Sequence, residues 1–495
     1  MAHRNGRLWR KNIDAIKGVN PVRLRSAVPP AIRESWDTVL AQKDLTVGTI
    51  RLNRTIARHL INMVLASDEA CAGIGIDTDP LPFLATAQEI LTSNDLQTFA
   101  WDIPLDAVGV LPKQHTPQLG ATLRSLTHHL GLYLPNDIEA RWIGPYVSIG
   151  EDEKNESVNI LLVPWPFVVE SEDFQLVRMP NSKGTYFEYN PAQRGRRGGV
   201  RTWLKRALKD ARKHARRVDV VVFPELALSI SEYSEIERVC VDAGAMLIAG
   251  IRFPTGRASR GANFCALQPA GLFLRENHIV RKQSGTSRKV LVDSHRLVQS
   301  KHHRWCLDRQ QLLQYQLAGR IPPTEAPIWE NIVIPPRLLH FVTLGKWMTW
   351  SVLICEDLAR QDPAADLIRS VGPNLLIALL MDGPQLRGRW SSRYASVFAE
   401  DPGTSVLTLT SLGMAERCRP TLLSTGRRAD KSRAVALWKD VETGEHEIVL
   451  DEADNACILT VVPLEREEYA ADGRRDGAKT CYPVFAGYKS FQVAT

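Results

Sequence analysis

Two textures divide the chain. From Val158 onward, short apolar and β-branched runs alternate with amphipathic stretches. The runs at 158–163, 218–223, 245–251, 263–268, 338–344, 348–355, 374–381, 405–410, 433–438 and 457–462 are bounded by polar or turn residues, which predicts buried strands. Between the first two, residues 200–217 place Trp203, Leu204, Ala207, Leu208, Ala211 and Ala215 on one stripe with Lys and Arg opposite, the pattern of an amphipathic helix. Strands alternating with such helices predict an α/β layered domain. Before residue 150 the period is helical: segments 31–42, 46–66 and 118–132 carry apolar residues such as Val47, Ile50, Ile56, Leu60, Met63 and Val64 at helical spacing. A mainly helical N-terminal domain over 1–150 is therefore expected. The polar run GEDEKNES at 150–157 predicts a boundary, and 466–495 reads as a C-terminal extension.

With 495 residues the chain is long enough for several domains, and its 44% hydrophobic and 24% charged content is that of an ordinary globular protein. The longest apolar run, Leu375 to Met381, is far below the ~18 residues of a membrane span, so no membrane insertion is expected. The opening MAHRNGRLWRKN has no apolar core, so no secretory signal is expected, while its Arg-rich, acid-poor composition leaves a transit peptide open. Eight scattered cysteines without a CxxC pair argue against a disulfide framework and for a reducing, cytoplasmic setting. The net charge of +7 is uneven. Residues 1–26 hold seven Lys/Arg against Asp14, and residues 191–217 hold eleven against Asp210, so two basic patches sit on a mildly acidic body. Such patches can attract nucleic acid or other anions, although a solvated helix face is the simpler reading.

Phosphate-binding loops, a dinucleotide fingerprint, a GxSxG elbow and HExxH are all absent. The run HHRWC at 302–306 has metal-capable side chains but no second ligand pair at zinc-like spacing, so no metal site is predicted. Two strand ends carry chemistry instead. VDVVVFPELALS (218–229) runs from an apolar strand into Glu225, and WSVLICEDLAR (350–360) ends a strand in Cys355 followed by Glu356 and Asp357. In α/β layers, sites collect at strand ends. A carboxylate and a thiol there suit a base and a nucleophile, since a thiol must lose its proton to attack. Cys355 is accordingly expected to be the one thiol with a depressed pKa.

FPELALS, a lysine loop, and ICEDL followed by NLLIALLM and a helix with Arg393 and AED (399–401) resemble the nitrilase, or carbon–nitrogen hydrolase, superfamily. The resemblance covers 157–465. It implies an αββα sandwich and a Glu–Lys–Cys triad that cleaves non-peptide C–N bonds of amides and related compounds through a thioester, with no metal or organic cofactor. The CED wording is most similar to the glutaminase domains of glutamine-dependent NAD synthetases. For the lysine, GLFLRENHIVRK (271–282) offers Lys282 and LVQSKHHRWCLD (297–308) offers Lys301. Lys301 is preferred: Asp308 lies where the family places a second acid, and a helix over 308–318 is expected to anchor the loop. The implied catalytic residues are Glu225, Lys301 and Cys355, supported by Asp308 and by the backbone N–H of Glu356 at the oxyanion. Replacing Lys301 is expected to leave the fold intact. The resemblance also implies a small amide-type substrate and a homo-oligomer. It leaves open an acyl or amide transferase, or an inactive, sensing module in a multi-component system such as antiphage defence.

Overall fold

The computed structural model describes residues 2–14, 27–70, 108–110, 127, 130–132, 138–143, 157–178, 184–191, 199–256, 259–272, 295–322, 326–344, 347–360, 362–418, 432–468 and 478–494. Two seven-stranded sheets dominate. In spatial order the first holds Leu297–Ser300, Ala262–Gln268, Met246–Phe253, Val220–Ser229, Val158–Leu162, Ala456–Glu468 and Ala478–Phe491. The second holds Gly444–Val449, Ala434–Asp440, Ser405–Leu409, Leu375–Leu379, Met348–Ile354, Arg337–Leu344 and Ile138–Ile143. Each sheet has three adjacent parallel strands at its centre: 158–162, 220–229 and 246–253 in the first, and 348–354, 375–379 and 405–409 in the second.

The two-residue period of these strands sorts their side chains between layers. Val220 and Val222 point into the core shared with Val352, Ile354, Ile377 and Trp438 of the facing sheet. Val221 and Phe223 point the other way, onto Trp203, Leu204 and Leu208 of the helix Gly199–Ala211 and Ile236 of the helix Ile230–Ala243. Leu367 and Ile368 of Ala364–Val371 and Phe398 of Trp390–Glu400 cover the second sheet. Burial on both faces explains why the central strands read as continuous apolar runs. The result is the αββα sandwich that the motifs imply. Arg201, Lys205, Arg206 and Lys209 occupy the exposed face of the outer helix, while residues 192–198 of that basic patch lie outside the described residues.

The sandwich reaches past both expected boundaries. Ile138–Ile143 pairs in parallel with Arg337–Leu344 as an edge strand of the second sheet, so the region before 150 is not wholly helical. Ala478–Phe491, expected as an extension, pairs with Ala456–Glu468 along its whole length. Pro and Gly in it are tolerated because it is an edge. The N-terminal helices are Ala2–Asp14, Pro30–Leu40, Val47–Leu52 and Arg54–Ala70. The helix expected over 46–66 is broken at Asn53, whose side chain instead caps the next helix by accepting from Thr55 and Ile56 N–H. The end of the helix expected over 118–132 is a strand, Leu130–Leu132, paired with Val108–Val110; residues 118–126 lie outside the described residues, as do 150–156 of the expected boundary. No helix among the described residues is long and apolar enough to cross a membrane.

Candidate functional site

Glu225 lies within its strand, in a large bulge, and not beyond the strand end as the sequence suggests. Pairing with the neighbouring strand stops at Phe223–Ala249 and resumes at Leu228–Ile251, so residues 224–227 loop out of register. Pro224, with no N–H to lose, suits such a place. Leu226 adopts φ 53°, which turns the chain back. The bulge rests directly on Gly250: a Cβ there would lie 2.3 Å from the Pro224 carbonyl oxygen and 2.6 Å from Glu225 Cα. Gly250→Ala is therefore expected to destabilise the protein by about 1–3 kcal/mol by overpacking, and to displace Glu225. Urea unfolding checks the first effect; a midpoint equal to that of the parent protein would contradict it.

The bulge turns the Glu225 carboxylate into the interior, where the residue is 2% exposed. Its Oε1 accepts from Lys301 Nζ at 2.7 Å and from Asn263 Nδ2 at 2.8 Å. Its Oε2 has no hydrogen-bond partner among the described residues. Lys301 follows the edge strand Leu297–Ser300, and its N–H donates to Asn263 O at 2.9 Å. The Lys301 side chain is wholly buried and makes a second ion pair, 2.8 Å to Glu330 Oε2. Glu330 also accepts from Asn263 Nδ2 at 2.8 Å and from Trp305 N–H at 3.0 Å. Two carboxylates thus share one ammonium and one amide. Lys282, the alternative lysine, lies outside the described residues.

The acid that meets Lys301 beside Glu225 is thus Glu330, whereas Asp308 is engaged elsewhere. Asp308 is exposed and caps the helix Arg309–Gln314, accepting from Gln311 N–H at 2.7 Å. An Asp immediately before a helix satisfies an orphan amide, which is its physical role here. Glu330 comes from Ile328–Glu330, a short strand in a four-stranded sheet with Cys306–Leu307, Thr185–Tyr189 and Phe174–Val177. The helix expected over 308–318 is shorter; of the leucines Leu312, Leu313 and Leu317 expected to anchor it, Leu312 and, just beyond its end, Leu317 are buried, whereas Leu313 is exposed.

Cys355 stands at the end of Met348–Ile354 in a backbone conformation rare for a non-glycine residue, φ 48° and ψ −106°. Such a conformation costs on the order of 1–3 kcal/mol and is held by its surroundings. Here the Cys355 N–H donates to Leu379 O and the Cys355 carbonyl accepts from Leu358 N–H, both at 2.9 Å. The Glu356 amide opens the short helix Glu356–Ala359, where a first-turn N–H lacks an intrahelical acceptor. Asp357, one residue further, is fully buried and ties this elbow to the lysine loop. It accepts from His302 N–H at 3.1 and 3.0 Å and lies 3.0 Å from His303 Nδ1. The histidines of HHRWC are thereby engaged in holding the loop. Trp305 packs edge-on against Phe187 and Tyr315 behind it.

The electrostatics correct one expectation. Cys355 is not a depressed thiol: burial, and then the Glu225 carboxylate, push it well above its ordinary value, and Lys301 and the Met381 N–H pull only partly against them. Burial and the Glu225 and Glu356 carboxylates outweigh the single Lys301 ammonium, so the surroundings oppose a resident thiolate. Burial raises Glu225, helped by Glu330 and resisted by Lys301. Burial alone would lower the Lys301 ammonium, but Glu225 and Glu330 raise it well above its ordinary value. A counterintuitive result follows for Glu225→Gln. Removing this negative charge should move the pH midpoint of Cys355 alkylation by iodoacetamide downward, while Lys301→Ala should move it upward. Peptide mapping over a pH series reads both; equal midpoints in all three proteins would contradict the coupling.

No protein-family model matches the chain, and no curated protein matches it. Among solved structures it is similar to an amidase from Nesterenkonia sp., at 11% identity and a TM-score of 0.33 over 61% of this chain and 89% of that one. It is similar to a CN-hydrolase superfamily protein from Xanthomonas campestris, at 13% and 0.33 over 62% and 90%. It is also similar to Saccharomyces cerevisiae Nit3, a member of branch 10 of the nitrilase superfamily, at 11% and 0.33 over 61% and 89%.

Proposed function

We propose that this protein is a carbon–nitrogen hydrolase that cleaves a small amide through a thioester on Cys355. One observation carries the reading. A buried lysine holds Oε1 of a buried glutamate at 2.7 Å while Oε2 stays unpartnered, and a thiol on a strained strand-end turn lies within the field of both. Glu225 Oε2 is then the acceptor for the thiol proton. Because the resting thiol is protonated, proton loss accompanies attack and does not precede it. The sulfur adds to the carbonyl carbon, and Lys301 with the Glu356 N–H stabilises the oxyanion. Collapse breaks the C–N bond, and the leaving nitrogen takes the proton from Glu225. The freed carboxylate next deprotonates water, which attacks the thioester; the acid leaves and the proton returns to sulfur. Glu330 and Asn263 hold Lys301 and Glu225 in place without touching the reacting atoms.

The low exposure of Cys355, 5%, favours small, linear substrates. Glutamine, asparagine, carbamoyl compounds and nitriles assayed for ammonia release test the reading. Turnover of at least one, abolished in Cys355→Ala, is expected. Turnover that survives Cys355→Ala would overturn the thioester route.

A further inference from the structure

Beside the triad lies a second buried polar cluster that the proposed chemistry does not use. Leu375–Leu379 is the parallel neighbour of the strand that ends in Cys355, with Leu379 paired to Ile354. Two residues past its end, the Met381 N–H reaches the Cys355 sulfur. The next residue is Asp382, 2% exposed. Its Oδ1 accepts from the Tyr315 hydroxyl and, at 2.7 Å, from Arg389 Nη2. Its backbone N–H donates to Thr410 Oγ1 at 3.2 Å, at the end of the third parallel strand. Its Oδ2 is buried and meets no donor among the described residues.

A buried carboxylate oxygen without a donor is unfavourable unless something supplies one. Tyr315 and Arg389 both donate to its twin, Oδ1, and hold the carboxylate in place, which leaves Oδ2 as the unfilled acceptor of the cluster. Its position puts it near the reacting centre. Cys355, Asp382 and Thr410 follow the carboxyl ends of three adjacent parallel strands, where α/β sheets bind ligands. Neighbouring strands stand roughly 5 Å apart. Leu226, Trp305, Tyr315 and Met381, which flank Glu225, the lysine loop and Cys355, pack in one apolar cluster that joins the two polar groups.

The geometry points to Asp382 as a substrate-recognition residue for an ammonium or other N–H donor carried on the substrate chain away from the scissile carbonyl. This rests on the amidase reading for its chemistry but not for its binding. The substrate class is thus an amide of an amino-bearing acid and not a plain aliphatic amide. Arg389 and Tyr315 position the carboxylate, and the Arg389 charge keeps the site neutral before the substrate arrives.

The test compares δ-aminovaleramide with hexanamide, which matches it in length and lacks the amino group. Binding to full-length Cys355→Ala protein is measured by calorimetry, so turnover is not needed. The amino compound should bind about tenfold tighter or more, because a site built around a donor rejects the analogue lacking it. Asp382→Asn in the same background should erase that preference. Equal binding of the two compounds, binding of neither, or a preference that survives in a folded Asp382→Asn protein overturns the proposal. If Asp382→Asn does not fold, the comparison within the parent background still decides. A preference for the amino compound in a protein whose intact Cys355 form turns over neither of them nor any of the amides and nitriles assayed above would sink the amidase reading and leave this subsite standing.

Discussion

Lys301→Ala is expected to lower kcat by roughly 10²-fold or more through loss of an oxyanion donor, and also to destabilise the fold by about 3–5 kcal/mol. The second effect departs from the sequence expectation that the fold survives intact. Lys301 is 1% exposed and bridges Glu225 and Glu330 at 2.7 and 2.8 Å. Removing it leaves two buried carboxylates sharing one Asn263 amide, each worsening the other's burial. One of them must take up a proton. A carboxyl whose folded pKa is raised stabilises the fold below its unfolded value and loses that contribution as pH rises through the folded one. The variant should therefore be most nearly normal in mild acid and lose stability towards neutral pH. The parent protein keeps its Lys301 contribution through neutral pH, because that ammonium is raised above an already high value. Adding Glu330→Gln should recover part of the stability but not the activity. Urea unfolding across pH reads the first pair of effects and turnover the second. A Lys301→Ala protein as stable as the parent at neutral pH would show that the lysine is not the counterion of the cluster.

The sandwich was legible because its central strands are buried on both faces and so read as unbroken apolar runs: Val220–Phe223, Val352–Ile354 and Leu375–Leu379 all fall inside expected strands. Glu225 and Cys355 stood out because each interrupts or ends such a run. The edges were not legible. Ala478–Phe491 carries Pro483 and Gly487, which read as a loop until an edge position excuses them. Glu330 escaped notice because it sits on a three-residue strand, and its partners Lys301, Trp305 and Asn263 come from distant parts of the chain. Asp308 misled because an acid before a helix is equally a cap. Asp357 was in view within ICEDL, but only the folded loop reveals that it grips His302 and His303. A nearby lysine suggests a thiolate, whereas burial first, and then the Glu225 and Glu356 carboxylates, push the Cys355 thiol up against the pull of Lys301.

Cys355→Ala should cost the most activity of any substitution in this chain, about 10⁴-fold or more, because the bond-forming atom itself is removed. It should leave stability close to unchanged, since only one sulfur atom is removed and the strained backbone is held by Leu379 O and Leu358 N–H in either protein. Cys355→Ser should be nearly as inactive: a hydroxyl is a weaker nucleophile, and Glu225 must take its proton against a much higher pKa. The central claim is that a carbon–nitrogen bond breaks while the acyl group rests on this sulfur. Mass spectrometry of peptides from protein quenched in acid during turnover of whichever amide releases ammonia reads it directly. The acyl group should be found on the Cys355 peptide, should vanish when the amide is exhausted, and should be missing from Cys355→Ala protein. Ammonia release with no acyl group on Cys355, or with the acyl group on another cysteine such as Cys418, would contradict it.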